Sequence, residues 1–536
     1  MLIYIRTQFL SHSATPGSYE KKYYTIYMIS TLRSFVITRI PLAIFLIIYF
    51  FLALATFKDF GLTMDEFFVY TRGQYFYNKV VGNDAHLQKG FVVHEEGNED
   101  ILYNNSSYPA ILYMLNNNQS YEGYHLINML LASTIFIAMY ELLLFVYRKP
   151  LFALIGPLLL FFTPRFLGDI PANPKDIPFA IGYFLSIAFI IISQKWNKNL
   201  QLILLGVLVG LSASIRVIGF SIIPIYILFK MVMPWETNIS KLCKRGISVV
   251  LESTILILIS FLIFLINMPY VGADPINHFL ELLNITTKYP WYGNILFFGE
   301  NFAFNQRPLS YLPIWLIITT PPLILSLSVY ALWKKMSTHM QSLKILILIS
   351  LGVHILFYIF LKPVIYNGLR HYLFLLPQLV LLASLGSVEL MQNKKLRKWI
   401  YTIFALSIVS MVGVYVHLHP YEYTYFNSIT RGITGAQGAF EIDYWAASDK
   451  EAMAWLSTYL KENNITSTAV FSCSKSDSLH YYMPQVYDVN TNIQKADYII
   501  CFDKRELSVI QEYIPGTIIH EIKRGNVTYS TIFQVD

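Results

Sequence analysis

The sequence predicts a polytopic α-helical membrane protein, with about eleven transmembrane helices and a small C-terminal α/β domain outside the membrane. Three observations predict it. The 536 residues are 55% hydrophobic and only 14% charged, with a mean hydropathy of +0.47, whereas soluble domains carry roughly 25% charged residues. Long apolar runs recur between residues 38 and 417. After His419-Pro420 the composition turns polar.

The apolar runs fall near 38–57, 126–146, 150–163, 177–193, 201–215, 217–233, 247–269, 309–332, 345–361, 371–389 and 399–417. Most approach the ~20 residues that an α-helix needs to cross a bilayer; the third and fifth are short. Charge placement orients them. With residues 1–37 as a cytoplasmic N-terminal segment, every inner connection is basic, from Arg148/Lys149 and Lys195/Lys198 to Lys394/Lys395. Retention of Lys and Arg in cytoplasmic loops then puts loops 58–125, 164–176, 270–308 and 362–370 on the outer side of a 38–417 membrane domain. Residues 418–536 fall on that side too. The net charge of +7 therefore reads as a positive-inside bias and not as a nucleic-acid footprint.

Within 418–536, residues 448–463 predict an amphipathic helix, with Ser448 as its cap and Glu451 three residues on. Strands are expected at 468–473, 498–502, 517–523 and 527–534, the last two joined through Gly525-Asn526, with a helix at 504–513. Cys473 and Cys501 both fall in strands, where buried free thiols are favoured over a disulfide.

Candidate chemistry lies in the outer loops. Asp65 and Glu66 follow Thr63-Met64 just beyond the first apolar run. Carboxylates held near hydrocarbon are costly, which points to a chemical role. They could act as general base on an acceptor, orient that acceptor, or help hold a metal. The plainer alternative is a Thr63-capped helix with both acids in its first turn. The stretch from Pro164 to Pro178 contains four prolines in fifteen residues and predicts a rigid, non-helical turn. Its Arg165 and Lys175 suit a phosphate, one as a bidentate fork and the other as a point charge. Asp169 or Asp176 could orient a sugar or complete a metal site with Asp65; otherwise Asp176 caps the next helix and the bases contact lipid headgroups.

Arg216 sits between two apolar runs, where a cation needs an acid, an anionic ligand or a route to the headgroups. In Asn367-Gly368-Leu369-Arg370-His371 the glycine permits a tight turn, and Arg370-His371 opens a helix whose first amides favour phosphate. His371 serves equally as a hydrogen-bonded structural histidine. Trp291 and Tyr292, with Glu300 nearby, offer a surface for a sugar or form an interfacial aromatic belt. Glu122 and His125 precede the second run and could face the same cavity. There is no Walker motif, dinucleotide fingerprint, HExxH or GxSxG, so nothing points to ATP, NAD or a serine nucleophile.

The acidic pair, the Pro164-Arg165-Phe166…Asn173-Pro174-Lys175-Asp176 loop, and Leu309-Ser310-Tyr311-Leu312-Pro313 leading to Thr319-Thr320-Pro321-Pro322 resemble a GT-C membrane glycosyltransferase. More closely, they resemble the protein mannosyltransferase and aminoarabinose transferase group. Asn367 to His371, and Tyr425-Phe426-Asn427 with Asp443-Tyr444-Trp445, are similar to a bacterial branch of that group. The likeness covers most of residues 60–450.

The resemblance implies transfer of a sugar from a polyprenyl-phosphate carrier to a lipid, glycan or protein on the outer face. It implies a catalytic acid in the first outer loop, matched by Asp65 with Glu66 beside it, and a second in the next, matched by Asp169 or Asp176. It implies basic residues on the lipid phosphate, matched by Arg165, Lys175, Arg216 and Arg370, with His371 adjacent. Membrane lipids and the lipid-linked donor are the implied partners, with no nucleic acid and the acceptor open. A divalent metal on Asp65 and Asp169 is a candidate cofactor. The implied location is a bacterial inner membrane, with site and C-terminus on the periplasmic side. The α/β domain departs from the β-trefoil or helical-repeat domains of some relatives. A transporter or flippase of lipid-linked sugars is the rival reading; the lack of an internal repeat and the clustering of charges in outer loops favour the enzyme.

Overall fold

The computed structural model describes residues 33–80, 107–116, 120–233, 239–287, 293–474, 476–489, 492–502 and 504–536. Trp291, Tyr292 and most of the N-terminal segment lie outside the described residues.

Every apolar run is helical. Among the described residues, seven helices are long and apolar enough to cross a membrane: Tyr121–Tyr147, Asp176–Lys195, Lys198–Ile215, Lys244–Asn267, Thr338–Leu361, Arg370–Gln392 and Arg397–Leu418. Three shorter apolar helices are Ile40–Thr56, Pro150–Phe161 and Val217–Val232. The run expected as one span over 309–332 is instead broken, Tyr311–Thr319 meeting Pro322–Trp333 at 115°. Pro321 and Pro322 bring no backbone N–H to the break. Asn427 satisfies the stranded carbonyls: its Nδ2 donates to Ile317 O at 2.6 Å and Thr320 O at 2.8 Å, and its backbone N–H to Ile318 O at 2.8 Å. Broken helices persist at membrane depth where freed carbonyls find such donors.

The spans sort by exposure. Arg370–Gln392 is buried on nearly all sides, whereas Arg397–Leu418 turns Leu406, Val409 and Val416 outward at 65%, 70% and 79% exposure. A helix that is apolar all round belongs in a bundle interior or against lipid, and these two take one role each. At the end bearing the basic connections, Glu252 gathers Lys198 at 2.5 Å and Lys230 at 3.8 Å.

The opposite end carries the loops and the C-terminal domain. Within the 270–308 loop, β1 (Asn294–Phe297) and β2 (Glu300–Ala303) form an antiparallel hairpin. The C-terminal sheet has the order β4-β3-β5-β7-β6, from β3 (Ala469–Ser472), β4 (Tyr487–Asp488), β5 (Tyr498–Cys501), β6 (Gly516–Arg524) and β7 (Val527–Val535). Pairing is parallel between β3 and both β4 and β5, and antiparallel among β5, β7 and β6. Helix Asp449–Glu462 packs on the sheet through Ala452, Met453, Leu456 and Leu460.

The structure corrects four expectations. Strand β4 and helix Ser476–Tyr482 had no sequence counterpart. Ser448 precedes its helix without capping it, because its hydroxyl donates to Asp443 Oδ2 at 2.6 Å, while Glu451 pairs with Arg524. Cys473 and Cys501 are joined in a disulfide, since the adjacent β3 and β5 bring their Cα atoms to 4.9 Å. Finally, Pro164–Asp169 is helical, with Pro164 at the first helical position, where its missing N–H is no loss.

The domain is clamped onto the first loop. Leu62 N–H donates to Tyr482 Oη at 2.8 Å, Lys450 Nζ to Phe60 O at 3.1 Å, and Tyr481 Oη to Glu122 Oε2 at 2.7 Å.

Candidate active site

Asp65 and Glu66 are neighbours in sequence with opposite fates. Glu66 is fully buried; Thr63 N–H donates to its Oε2 at 2.8 Å, and His125 Nε2 lies 2.9 Å from its Oε1. Thr63 and Glu66 thus close the start of helix Glu66–Val80 in the manner of a capping box, and the His125 ring is the hydrogen-bond partner of the other carboxyl oxygen. Glu122 turns instead to Tyr481 and Lys450. Asp65 faces away from this pair, its side chain 36% exposed.

Arg370 reaches Asp65. Its Nη2 donates to Asp65 Oδ2, and its Nε to Asp176 Oδ2 at 3.0 Å, so one guanidinium joins carboxylates from two loops. Asp176 also accepts from Arg216 Nη2 on Oδ1. Asn173 links the remaining acid: its Nδ2 lies 3.2 Å from both Asp169 Oδ1 and Asp176 Oδ2, and its Oδ1 accepts from Asp176 N–H at 2.8 Å. Arg165 Nε stands 4.0 Å from Asp169 Oδ2 with both side chains fully buried. Arg165 also donates to Tyr423 O and, at 2.9 Å, to Tyr444 Oη.

Local chain geometry makes this convergence. Asp176 opens its helix two residues before Pro178, and Arg216 ends the next helix in extended conformation, so both point back to the loop end. Arg370 follows a turn in which Gly368 has a φ of +68°; a Cβ there would lie 2.9 Å from the Trp315 ring. The turn is fixed by Gly368 N–H donating to Tyr311 Oη at 2.9 Å. Arg370–Leu375 is a 3-10 stretch, and the α-helix begins only at Leu376, five residues beyond His371.

The cluster is rich in basic side chains. Lys175, Arg216, Arg307 and Arg370 all act on His371, which packs edge-to-face on Tyr366 at 4.7 Å. Burial pushes the Asp169 carboxyl up to about 7, and Asp176 adds to the rise, while Arg165 and Asn173 offset part of it. Asp65 and Asp176 are the carboxylates of the cluster that arginine side chains hold directly.

The structure brings Asp65, Asp169, Asp176, Arg165, Arg216 and Arg370 into one network and sets Lys175 and His371 beside it. Glu300 stands exposed on the β1–β2 hairpin, and no contact among the described residues joins it to the cluster. Sequence reading missed Arg307, an outer-loop arginine before Pro308, and Asn173, which lay unweighed inside the proline-rich loop. It noticed Tyr444 and Trp445 only as a motif; they prove to cover the cluster, Arg165 lying 5.3 Å from the Tyr444 ring and Arg370 5.1 Å from the Trp445 ring.

Asp65 and Asp169 do not fit a shared divalent metal. Arg370 occupies Asp65, and Asp169 is enclosed between Arg165 and Asn173. Among the described residues, three metal-ligating groups converge only at Cys473, Cys501 and Glu506, where both sulfurs are in the disulfide.

Residues 103–274 match the dolichyl-phosphate-mannose-protein mannosyltransferase family. The apo crystal structure of ArnT from Cupriavidus metallidurans aligns over 94% of this chain and 98% of its own, at 11% identity and a TM-score of 0.51. The same protein bound to undecaprenyl phosphate aligns over 91% and 97%, at 10% identity and 0.48. The arabinofuranosyltransferase AftD from Mycobacteria aligns over 80% of this chain and 36% of its own, at 13% identity and 0.35. No curated protein matches the chain in sequence. The matched segment contains Arg165, Asp169, Asp176 and Arg216, so the family likeness falls on the cluster itself. The chain is thus a polytopic helical membrane protein whose fold is similar to that of ArnT and whose residues 103–274 resemble the mannosyltransferase family.

Proposed function

We propose that the protein transfers a sugar from a polyprenyl-phosphate carrier to an acceptor at the membrane end that carries the C-terminal domain, which we assign to the periplasmic side of a bacterial inner membrane. The observation that carries this reading is the convergence of Arg370 on both Asp65 and Asp176, with Arg216 on Asp176 as well, which sets two guanidinium groups beside a partly exposed carboxylate. A polyprenyl-phosphate sugar already carries its leaving group. The acceptor's oxygen or nitrogen attacks C1 of the sugar with inversion, Asp65 takes the acceptor's proton, and the C1–O pair departs on the phosphate oxygen. The arginines stabilise that developing charge, the electrostatic work that preorganised cations perform best in a water-poor site. This assigns to arginines what a divalent ion does elsewhere.

Asp176, held by two arginines, positions those cations; Glu66 shapes the loop that presents Asp65. An apolar groove of about 600 Å³, lined by Phe162, Pro321, Met411 and Phe426 with Arg431 at its rim, suits an isoprenoid tail. Phe426 packs on Trp315, 5.4 Å away, and Trp315 lies beneath Arg165 at 5.6 Å, so groove and cluster share a wall. ArnT, similar in fold, is known bound to undecaprenyl phosphate.

The test is transfer of radiolabel from a panel of undecaprenyl-phosphate sugars in proteoliposomes, comparing wild type with Asp65→Asn. Label reaching an acceptor or water in wild type and lost in the variant supports the enzyme. Intact lipid-linked sugar crossing the bilayer, equally in both proteins, replaces it with the transporter.

A further inference from the structure

Residues Asp443 to Ser448 form a strap between the C-terminal domain and the charged cluster. On the cluster side, Tyr444 accepts from Arg165, and the Trp445 ring lies 5.1 Å from the Arg370 guanidinium. On the loop side, Trp445 O accepts from Met64 N–H at 3.2 Å, one residue from Asp65. The two backbones approach closely: a Cβ at Gly61 would stand 2.0 Å from Ala447 O. The strap thus touches Arg370 and the residue next to Asp65.

What holds the strap is Asp443. Its Oδ1 accepts from Tyr423 Oη and from the backbone N–H groups of Trp445 and Ala447, each of the last two at 3.3 Å. Its Oδ2 accepts from Ser448 N–H at 3.2 Å and Ser448 Oγ at 2.6 Å. Five donors on one buried carboxylate fix the turn, including Ala446 in the left-handed region at φ 58°, which a residue with a side chain adopts only when its surroundings compel it. Tyr423 continues the link: its hydroxyl donates to Asp443 while its carbonyl accepts from Arg165. On the far side Ser448 Oγ meets Ser530 Oγ at 2.8 Å, tying the strap to β7.

We propose that Asp443 is a positioning residue for sugar transfer: its carboxylate organises the 443–448 strap, and the strap sets Asp65 and Arg370 relative to each other. The kinetic consequence rests on the proposed role of Asp65; the geometric one does not. The closest isostere, Asp443→Asn, points an NH2 at the Ser448 N–H or the Trp445 N–H, so at least one donor faces a donor. Displacement of a reacting group by about 1 Å costs on the order of a hundredfold in rate.

Two measurements on the full-length protein in detergent test the proposal. The first is hydrogen–deuterium exchange at 61–66 and 443–448 in Asp443→Asn, with strands 469–472 and 498–501 as the fold control. Exchange at both segments should rise at least tenfold with the control strands unchanged. Unchanged exchange at 61–66 overturns the proposal, whatever the reaction proves to be. The second is transfer from the undecaprenyl-phosphate sugar that wild type accepts, where kcat should fall ten- to a hundredfold with KM within threefold. Tyr423→Phe, which removes one donor of five, should show the same pattern more weakly. A raised KM at unchanged kcat in Asp443→Asn overturns positioning of the reacting groups. If wild type transfers nothing, the function fails while the exchange result still decides the strap.

Discussion

Replacing Arg370 by lysine keeps its charge and removes its shape. The guanidinium spans two carboxylates, Nε on Asp176 and Nη2 on Asp65, and an ammonium on a flexible stem cannot reproduce that fork. Transfer by Arg370→Lys should fall about 10- to 100-fold in kcat, or about 1.4–2.7 kcal/mol of barrier. Arg370→Met, which also removes the charge facing the leaving phosphate, should lose about 10²- to 10³-fold, the effect of deleting one preorganised stabiliser. Neither should unfold the protein. Asp176 keeps Arg216 and Asn173, and Asp65 is 36% exposed and can rehydrate, so the stability cost stays near about 1–3 kcal/mol, below that of breaking a fully buried pair. The assay is single-turnover transfer of radiolabelled sugar, normalised to protein that remains monodisperse after heating. Wild-type kcat in Arg370→Met would refute the assignment of this arginine to the leaving group.

Glu66→Ala should act on stability where Asp65→Asn acts on rate. Loss of the Thr63 cap and of the His125 partner lowers thermal stability by about 1–3 kcal/mol, read by melting in detergent; Asp65→Asn should leave melting near wild type and cut transfer by about 10²- to 10⁴-fold. His419, between Asp59 at 3.0 Å and Glu422 at 2.7 Å, joins the first loop to the end of the last span. Burial lowers its pKa, but hydrogen bonds and charge from those acids outweigh this and raise it from 6.5 to about 9. Its folded value exceeds its unfolded one, so its stabilisation is full below about 6.5 and fades as pH rises through about 9. The melting temperature should drop across that window and flatten in His419→Gln. Asp169, raised to about 7, ionises as pH passes neutrality and cancels part of the cluster's positive charge. The apparent affinity for an undecaprenyl-phosphate sugar, whose phosphodiester keeps a single charge throughout, should weaken from pH 6 to 8 in wild type and lose that dependence in Asp169→Asn.

The sequence by itself determined the membrane scaffold. A helix needs about twenty apolar residues to cross hydrocarbon, so the apolar runs located the long helices among the described residues, and retained Lys and Arg grouped their connections at one end. It also isolated most of the cluster, because a charge beside a span is costly enough to stand out: Asp65, Arg165, Asp169, Lys175, Asp176, Arg216 and Arg370 all lie in or beside the network. Only the tertiary structure decided where each acid sits and what it touches. Asp65 and Glu66 are indistinguishable by composition and spacing, and their separation depends on His125, 59 residues from Glu66, and Arg370, 305 residues from Asp65. The same holds for the 115° break, which needs Asn427 to satisfy its carbonyls, and for Ser448, whose hydroxyl Asp443 draws from helix capping into the strap. Local pattern records what each segment must bury. Which buried groups meet depends on contacts distant in the chain, and those contacts give each acid its surroundings.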